Sequence, residues 1–243
     1  MAVAAFRASA EEAAALARAG GGAEPDDPAW AKAVDLLALV ELSKDAVRGA
    51  WTARGEELAS DGSDGARLVL PYLPPEEYDL RVRFTRREGH GPVALVLPRA
   101  GRAFAWRMGA ESNTVFGLDL GRPVAAGPGP PEARMAWCLE NGRPYTALVQ
   151  VRKDGVQATV NGKAFPRWTA DIPGGGPGAA WALDREGVPG LASQESPTVF
   201  HRAQLRGVSG RGRLLRPPPA VAGDGTGLAG AYYVGRGMDV EPA

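Results

Sequence analysis

The groups that could hold a sugar stand in the middle of the sequence. Carbohydrate recognition uses aromatic faces that stack on the apolar side of a pyranose, with planar amides, guanidinium groups and carboxylates that hydrogen-bond vicinal hydroxyls in pairs. Trp106 and Arg107 in FAWRMG, Asn113 in ESNT, Arg81 and Arg83 in DLRVRF, and Gln150 and Arg152 in TALVQVR supply this chemistry. Arg83, Trp106, Asn113, Gln150 and Arg152 form the expected ligand-binding set. Gln150 is the most informative of them: it shares a strand face with Thr146 and Leu148 and would need partners if buried. Trp106 alternates with Phe104 and Met108, which favours a core position over a stacking platform, and strand arginines ordinarily face solvent.

Acid–base and metal chemistry have less behind them. In SPTVFHRAQLRGV, period two sets His201 with Val199 and Leu205, and Phe200 with Arg202, Gln204 and Arg206, favouring a satisfied, partly buried histidine over a catalytic one. His90, in REGHGP, reads as an exposed turn residue. Neither histidine has a ligand-type neighbour at metal-binding spacing, so no metal and no cofactor are expected. Glycosidases need two carboxylates across the scissile bond. Sandwich glucanases carry theirs as E-x-D-x-x-E on one strand, whereas here Glu77 and Asp79 are followed by Val82. Glu111, Asp119 and Glu140 fall near strand ends and could converge, although ordinary surface acids are the favoured reading. G-x-S-x-G, P-loop and H-E-x-x-H patterns are absent, and Cys138 has no identifiable histidine partner. No catalytic residue is assigned.

Composition narrows the partners. The 243 residues hold 28 Lys+Arg and 28 Asp+Glu, a formal net charge of zero, which gives no sign-biased field to draw in nucleic acid or an anionic membrane. The GRGR cluster at 210–213 reads as a solvated domain end. A single cysteine excludes an internal disulfide, and the lack of CxxC excludes a structural zinc site. No window approaches 18 uncharged apolar residues, so no membrane-spanning helix is expected. Arg7, Glu11, Glu12 and Arg18 interrupt the Ala-rich amino terminus and break up the apolar stretch that a signal peptide needs, so the chain as written is not expected to be marked for export. The chain as written is therefore expected in the cytoplasm, or at the surface if a longer parent carries the export signal.

Strands must position these residues. Residues 3–19 predict a helix ended by Gly20–Gly22, within a helical or flexible extension over 1–32. AKAVDLLALVEL predicts a short helix or strand at the start of the folded body. From Ala50, ten or so short β-type runs separated by turn dipeptides predict an all-β sandwich over 33–213. Tyr78, Leu80, Val82 and Phe84 are expected to face the core, with Asp79, Arg81, Arg83 and Thr85 on the other side. Asp154–Gly155 and Asn161–Gly162 are expected as tight hairpin turns. A Pro/Gly-rich linker follows over 214–225, then a tail over 226–243.

The run of VDLLALVELSKDAVRGAW, RLVLPYLPPEEYDLRVRFTR, FAWRMGAESNTVFGLDL, LENGRPYTALVQVRKDGVQATVNGK and GLASQESPTVFHRAQLRGVSGRG resembles a group of domains abundant in planctomycete bacteria. These are similar to concanavalin A-like, or laminin G-like, jelly rolls related to the 3-keto-disaccharide hydrolase domain. The resemblance spans about three quarters of the chain and implies a concanavalin A-like jelly-roll β-sandwich. It also implies a module appended to larger proteins, with weak binding of a glycan or small carbohydrate and contacts to other domains of a parent. A glycoside hydrolase-like activity on (keto-)disaccharides, or a structural and protein-interaction role, stay open beside it. Gly227, Leu228, Gly230, Tyr232 and Tyr233 resemble the start of a PA14 domain, a glycan-binding module.

Overall fold

The computed structural model describes residues 27–121, 132–134, 138–169 and 176–217. The expected helix over 3–19 and the tail over 226–243 lie outside the described residues.

The chain forms an all-β, concanavalin A-like jelly-roll sandwich. Its strands are β1 (Val34–Asp35), β2 (Ala46–Arg48), β3 (Trp51–Arg54), β4 (Glu57–Ser60), β5 (Ala66–Val69), β6 (Tyr72–Leu73), β7 (Glu77–Arg86), β8 (Val93–Arg99), β9 (Arg102–Gly109), β10 (Val115–Asp119), β11 (Glu132–Arg134), β12 (Pro144–Arg152), β13 (Gly155–Val160), β14 (Lys163–Ala164), β15 (Gly190–Ser193), β16 (Thr198–Ser209) and β17 (Arg213–Leu214). One sheet, sheet I, runs β14-β13-β12-β7-β16-β4-β3, with β1 added beside β16; the other, sheet II, runs β11-β10-β9-β8-β15-β5-β2. All these pairings are antiparallel.

The period-two pattern sets the layers. Tyr78, Leu80, Val82 and Phe84 of β7 are buried in a core shared with Tyr145, Val149, Phe200 and Leu205 of sheet I and with Leu68, Leu95, Phe104, Trp106, Phe116 and Leu191 of sheet II. Polar bolts cross between the sheets: the Tyr78 hydroxyl donates to the Pro98 carbonyl at 2.7 Å, and the Ser60 and Ser193 hydroxyls lie 2.8 Å apart. The segment read as a helix or strand resolves into β1, a 3-10 turn at Leu37–Leu39 and a helical turn at Leu42–Asp45.

Two local expectations need correction. Asn161 and Gly162 do take positive φ, 48° and 78°, as a two-residue hairpin turn requires. At the preceding hairpin, however, Arg152 pairs with Gly155, so the turn is Lys153–Asp154, neither of which has positive φ. Gly155 is needed for closeness instead, since a Cβ there would stand 2.4 Å from the Trp168 carbonyl oxygen. On β16, the register slips between Phe200 and Arg202, a bulge that puts one extra residue opposite Arg83. Phe200 therefore faces the core while Arg202, Gln204 and Arg206 share the outer face, contrary to strict alternation from Phe200.

Candidate functional site

The sandwich has two outer faces, and they differ. On sheet II, Ala94, Val96, Ala105 and Ala192 form a floor of small side chains under the buried Trp181. The Trp181 indole Nε1 donates to Asp119 Oδ2 at 3.1 Å, the Gly178 N–H donates to Asp119 Oδ1 at 3.2 Å, and Arg67 donates to the carbonyls of Ala179 and Ala182 at 2.7 and 2.8 Å. This strap closes the middle of that face. A cleft of about 410 Å³ remains beside it, between the β8–β9 turn and residues 182–188, lined by Val96, Arg102, Ala103, Leu183 and Glu186 among others.

The outer face of sheet I is polar. At its centre Asp79 is fully buried, accepting from Arg152 at 2.7 Å on Oδ1 and from Arg206 at 2.5 Å on Oδ2. The bulge and the register bring this about: Gln150 and Arg206 both lie opposite Asp79 on neighbouring strands. Arg81 donates to Gln204 Oε1 at 2.7 Å. The 3-10 turn Pro28–Trp30, capped by the Asp27 carboxylate accepting from the Ala29 N–H at 2.9 Å, lays the Trp30 ring against the guanidinium groups of Arg81 and Arg206, 4.2 and 5.0 Å from the ring centre.

Further along the same face, His201 bridges two strands. Its Nε2 lies 2.8 Å from Thr85 Oγ1 and its Nδ1 lies 2.7 Å from Glu57 Oε1. With Nδ1 protonated toward Glu57, Nε2 accepts from the Thr85 hydroxyl, which is the polarity of a carboxylate–histidine–hydroxyl relay. Thr85 is 7% exposed and paired on both sides, with Pro144 and with Val199. The arrangement fixes the imidazole between Thr85 and Glu57. Glu57 also lines a cleft of about 310 Å³ with Thr52, Arg54, Ala59, Arg87, Glu88 and neighbouring residues.

The five residues expected to bind ligand divide between this face and the interior. Gln150 and Arg152 lie on the outer face of β12, and Arg83 lies on that of β7, opposite Thr146 and Arg202. Trp106 is 2% exposed and packs edge-on against Phe165 with ring centres 5.0 Å apart, so no sugar can reach its face. Asn113 is 5% exposed, its amide exchanging hydrogen bonds with the Leu139 backbone at 2.7 and 3.0 Å and accepting from Arg86 at 3.2 Å. Both belong to the interior because hydrophobic and amide side chains serve packing there as well as they would serve a ligand outside. Of the acids that could have converged, Asp119 is committed to the Trp181 strap, Glu140 is exposed and pairs with Arg143 at 3.1 Å, and Glu111 is exposed. Sequence reading missed Asp79, Arg206, Glu57 and Trp30. Asp79 and Arg206 carried a signal, as a charged residue in each of two strands of matching polar period. Trp30 and Glu57 carried none, because their partners are fixed only by the tertiary fold.

Among the described residues no group of three or more His, Cys, Asp or Glu side chains could hold a metal ion, and no helix is long and apolar enough to cross a membrane.

No family model matches the chain, and no curated protein matches it in sequence. Solved structures do. The carbohydrate-binding module CBM66 from Bacillus subtilis is 14% identical, over 66% of this chain and 93% of that one, with a TM-score of 0.48. A Bacillus subtilis protein of unknown function with a galectin-like fold is 14% identical, over 73% and 96%, with a TM-score of 0.48. The Crh5 transglycosylase in complex with NAG is 11% identical, over 74% and 86%, with a TM-score of 0.48.

Proposed function

We propose that this chain is a non-catalytic carbohydrate- or ligand-binding accessory module of a larger protein, with its binding surface on the outer face of sheet I. The observation that carries the reading is the difference between the two faces. Trp181 closes the centre of one, while the other presents the side chains of Gln150, Arg83 and Arg202, which make no hydrogen bond or ion pair to another described residue. Around them, Asp79, Arg152, Arg206, Arg81 and Gln204 already satisfy one another, giving a stiff polar floor that loses little entropy when a ligand docks. Planar amides and guanidinium groups in this density suit vicinal hydroxyls. A shallow surface making a few net hydrogen bonds of about 0.5–1.5 kcal/mol each binds weakly. Dissociation constants of roughly 10 µM to 1 mM follow, equivalent to about −7 to −4 kcal/mol.

The test is a glycan-array screen of the full chain beside its Gln150→Ala variant, with release of reducing sugar assayed in parallel. Binding by the wild type, reduced at least threefold in the variant and without sugar release, is the expected result. Sugar release abolished by a Glu57→Gln substitution would replace the reading with a hydrolytic one. Absence of binding to every glycan would overturn it in favour of a scaffold.

A further inference from the structure

We propose that the ligand of this face is an acidic glycan, with a carboxylate or sulfate group held between Arg83 and Arg202. The inference rests on the reading that the outer face of sheet I binds carbohydrate, and it narrows the class of sugar.

The ladder sets Arg202 of β16 directly opposite Arg83 of β7. Like charges in that relation destabilise a sheet. Elsewhere on this face the chain relieves such contacts with acids: Asp79 serves both Arg152 and Arg206. Arg83 and Arg202 have no such relief, since neither guanidinium group makes a hydrogen bond or ion pair to another described residue. Of the acids on this face, Asp79 is engaged by its two arginines and Glu57 by His201, and Asp35, opposite Gln204, accepts from the Leu37 N–H and pairs with neither arginine. The pair is also not a by-product of a basic protein, because the chain's formal net charge is zero. Arg83 is half-buried and Arg202 exposed, so one guanidinium is held by its surroundings while the other is free to close on a ligand.

The surroundings suit a sugar that carries an anion. Thr146 stands opposite Arg83 on β12, and Thr85 follows two residues along β7. The adjoining cleft, about 310 Å³, falls at the small end of ligand sites. It is lined by Thr52, Arg54 and Arg87, and also by the carboxylates of Glu57 and Glu88. Arg54 and Arg87, like the first pair, make no hydrogen bond through their guanidinium groups to another described residue. Paired guanidinium forks match the planar oxygens of a carboxylate and the oxygens of a sulfate ester, whereas neutral hydroxyls would leave the repulsion in place.

Isothermal titration of the full chain with matched ligands tests this: oligogalacturonate against its methyl ester, and chondroitin sulfate oligosaccharides against the desulfated form. The acidic member of each pair should bind at least tenfold more tightly, and its affinity should fall between 50 and 300 mM salt, as the screening length shortens by about 2.4-fold. The Arg83→Gln/Arg202→Gln double variant should bring the acidic ligand down to the neutral one while keeping the wild-type melting temperature or raising it. Equal affinity for both members, unmoved by the double variant, overturns the inference and leaves the carbohydrate reading standing. Binding of neither member of either pair overturns the inference, while the carbohydrate reading falls only if the glycan array is blank as well. A short single-stranded DNA or polyphosphate that binds as tightly as the acidic glycan, and is lost in the same variant, overturns it as well, since the arginines would then read charge and not sugar.

Discussion

At the scale of single residues, chemistry and position separate. Asn113 has the amide a sugar site needs, but the fold spends it on a buried guanidinium. Arg86 is 1% exposed and donates to Asn141 Oδ1 at 2.7 Å, the Gly91 carbonyl at 3.0 Å, Asn113 Oδ1 at 3.2 Å and the Leu139 carbonyl at 2.6 Å. Burial pushes its pKa below the ordinary arginine value. A buried cation held only by neutral oxygens depends on each of them. Asn113→Ala removes one acceptor from Arg86, the acceptor of the Leu139 N–H and one of the two donors to the Leu139 carbonyl, and should lower stability by about 2 kcal/mol. Urea unfolding measures that loss, and glycan affinity of the folded fraction should not change; a variant as stable as wild type would show that Asn113 does not hold this turn.

At the scale of elements, most of the sandwich could be read from period two, because a one-residue error would turn a whole strand inside out. Tyr78, Leu80, Val82 and Phe84 fall inside as that pattern requires. The features that escaped are those where one residue breaks the period for a tertiary reason. The β16 bulge inserts a residue at His201, whose ring is held by Glu57 and Thr85 from other strands, and nothing local in SPTVFHRAQ announces it. The site was legible in part for the same reason: Gln150, Arg152 and Arg83 lie on regular strands, whereas Trp30 meets Arg81 and Arg206 from 51 and 176 residues away in the sequence, a juxtaposition that only the tertiary fold makes. The two hairpin glycines make the distinction measurable. Gly162 has open space where a Cβ would go, so Gly162→Ala pays only for its positive φ, about 1 kcal/mol. Gly155→Ala drives a Cβ to 2.4 Å from the Trp168 carbonyl oxygen and should cost at least about 2 kcal/mol. Thermal unfolding of the two variants ranks them, and the reverse order would mean that the 163–168 segment yields freely.

At the scale of the whole molecule, carboxylates join parts of the chain far apart in sequence. Arg216 reaches back to donate to Glu41 Oε1 at 2.8 Å and to Asp45, while Arg213–Leu214 pairs with β6. Glu77 accepts from the Ser209 hydroxyl at 2.7 Å and from the Lys153 N–H at 3.0 Å, tying β7 to the end of β16 and to the β12–β13 turn. Those hydrogen bonds, the Ser209 hydroxyl first, hold the Glu77 carboxyl below its ordinary 4.5, and the Lys44 ammonium, with Arg216, does the same for Glu41. A carboxyl whose pKa is lowered by folding stabilises the fold fully above its unfolded value, and that contribution disappears as pH falls through the lowered folded value. The gap in melting temperature between wild type and Glu77→Gln should therefore be widest near neutral pH and close as the pH drops below about 4.5, with Glu41→Gln behaving alike. A gap that stays constant from pH 7 to pH 3 would mean that the glutamates act through their shape and hydrogen-bonding geometry and that their charge contributes nothing to holding the ends of the sandwich together.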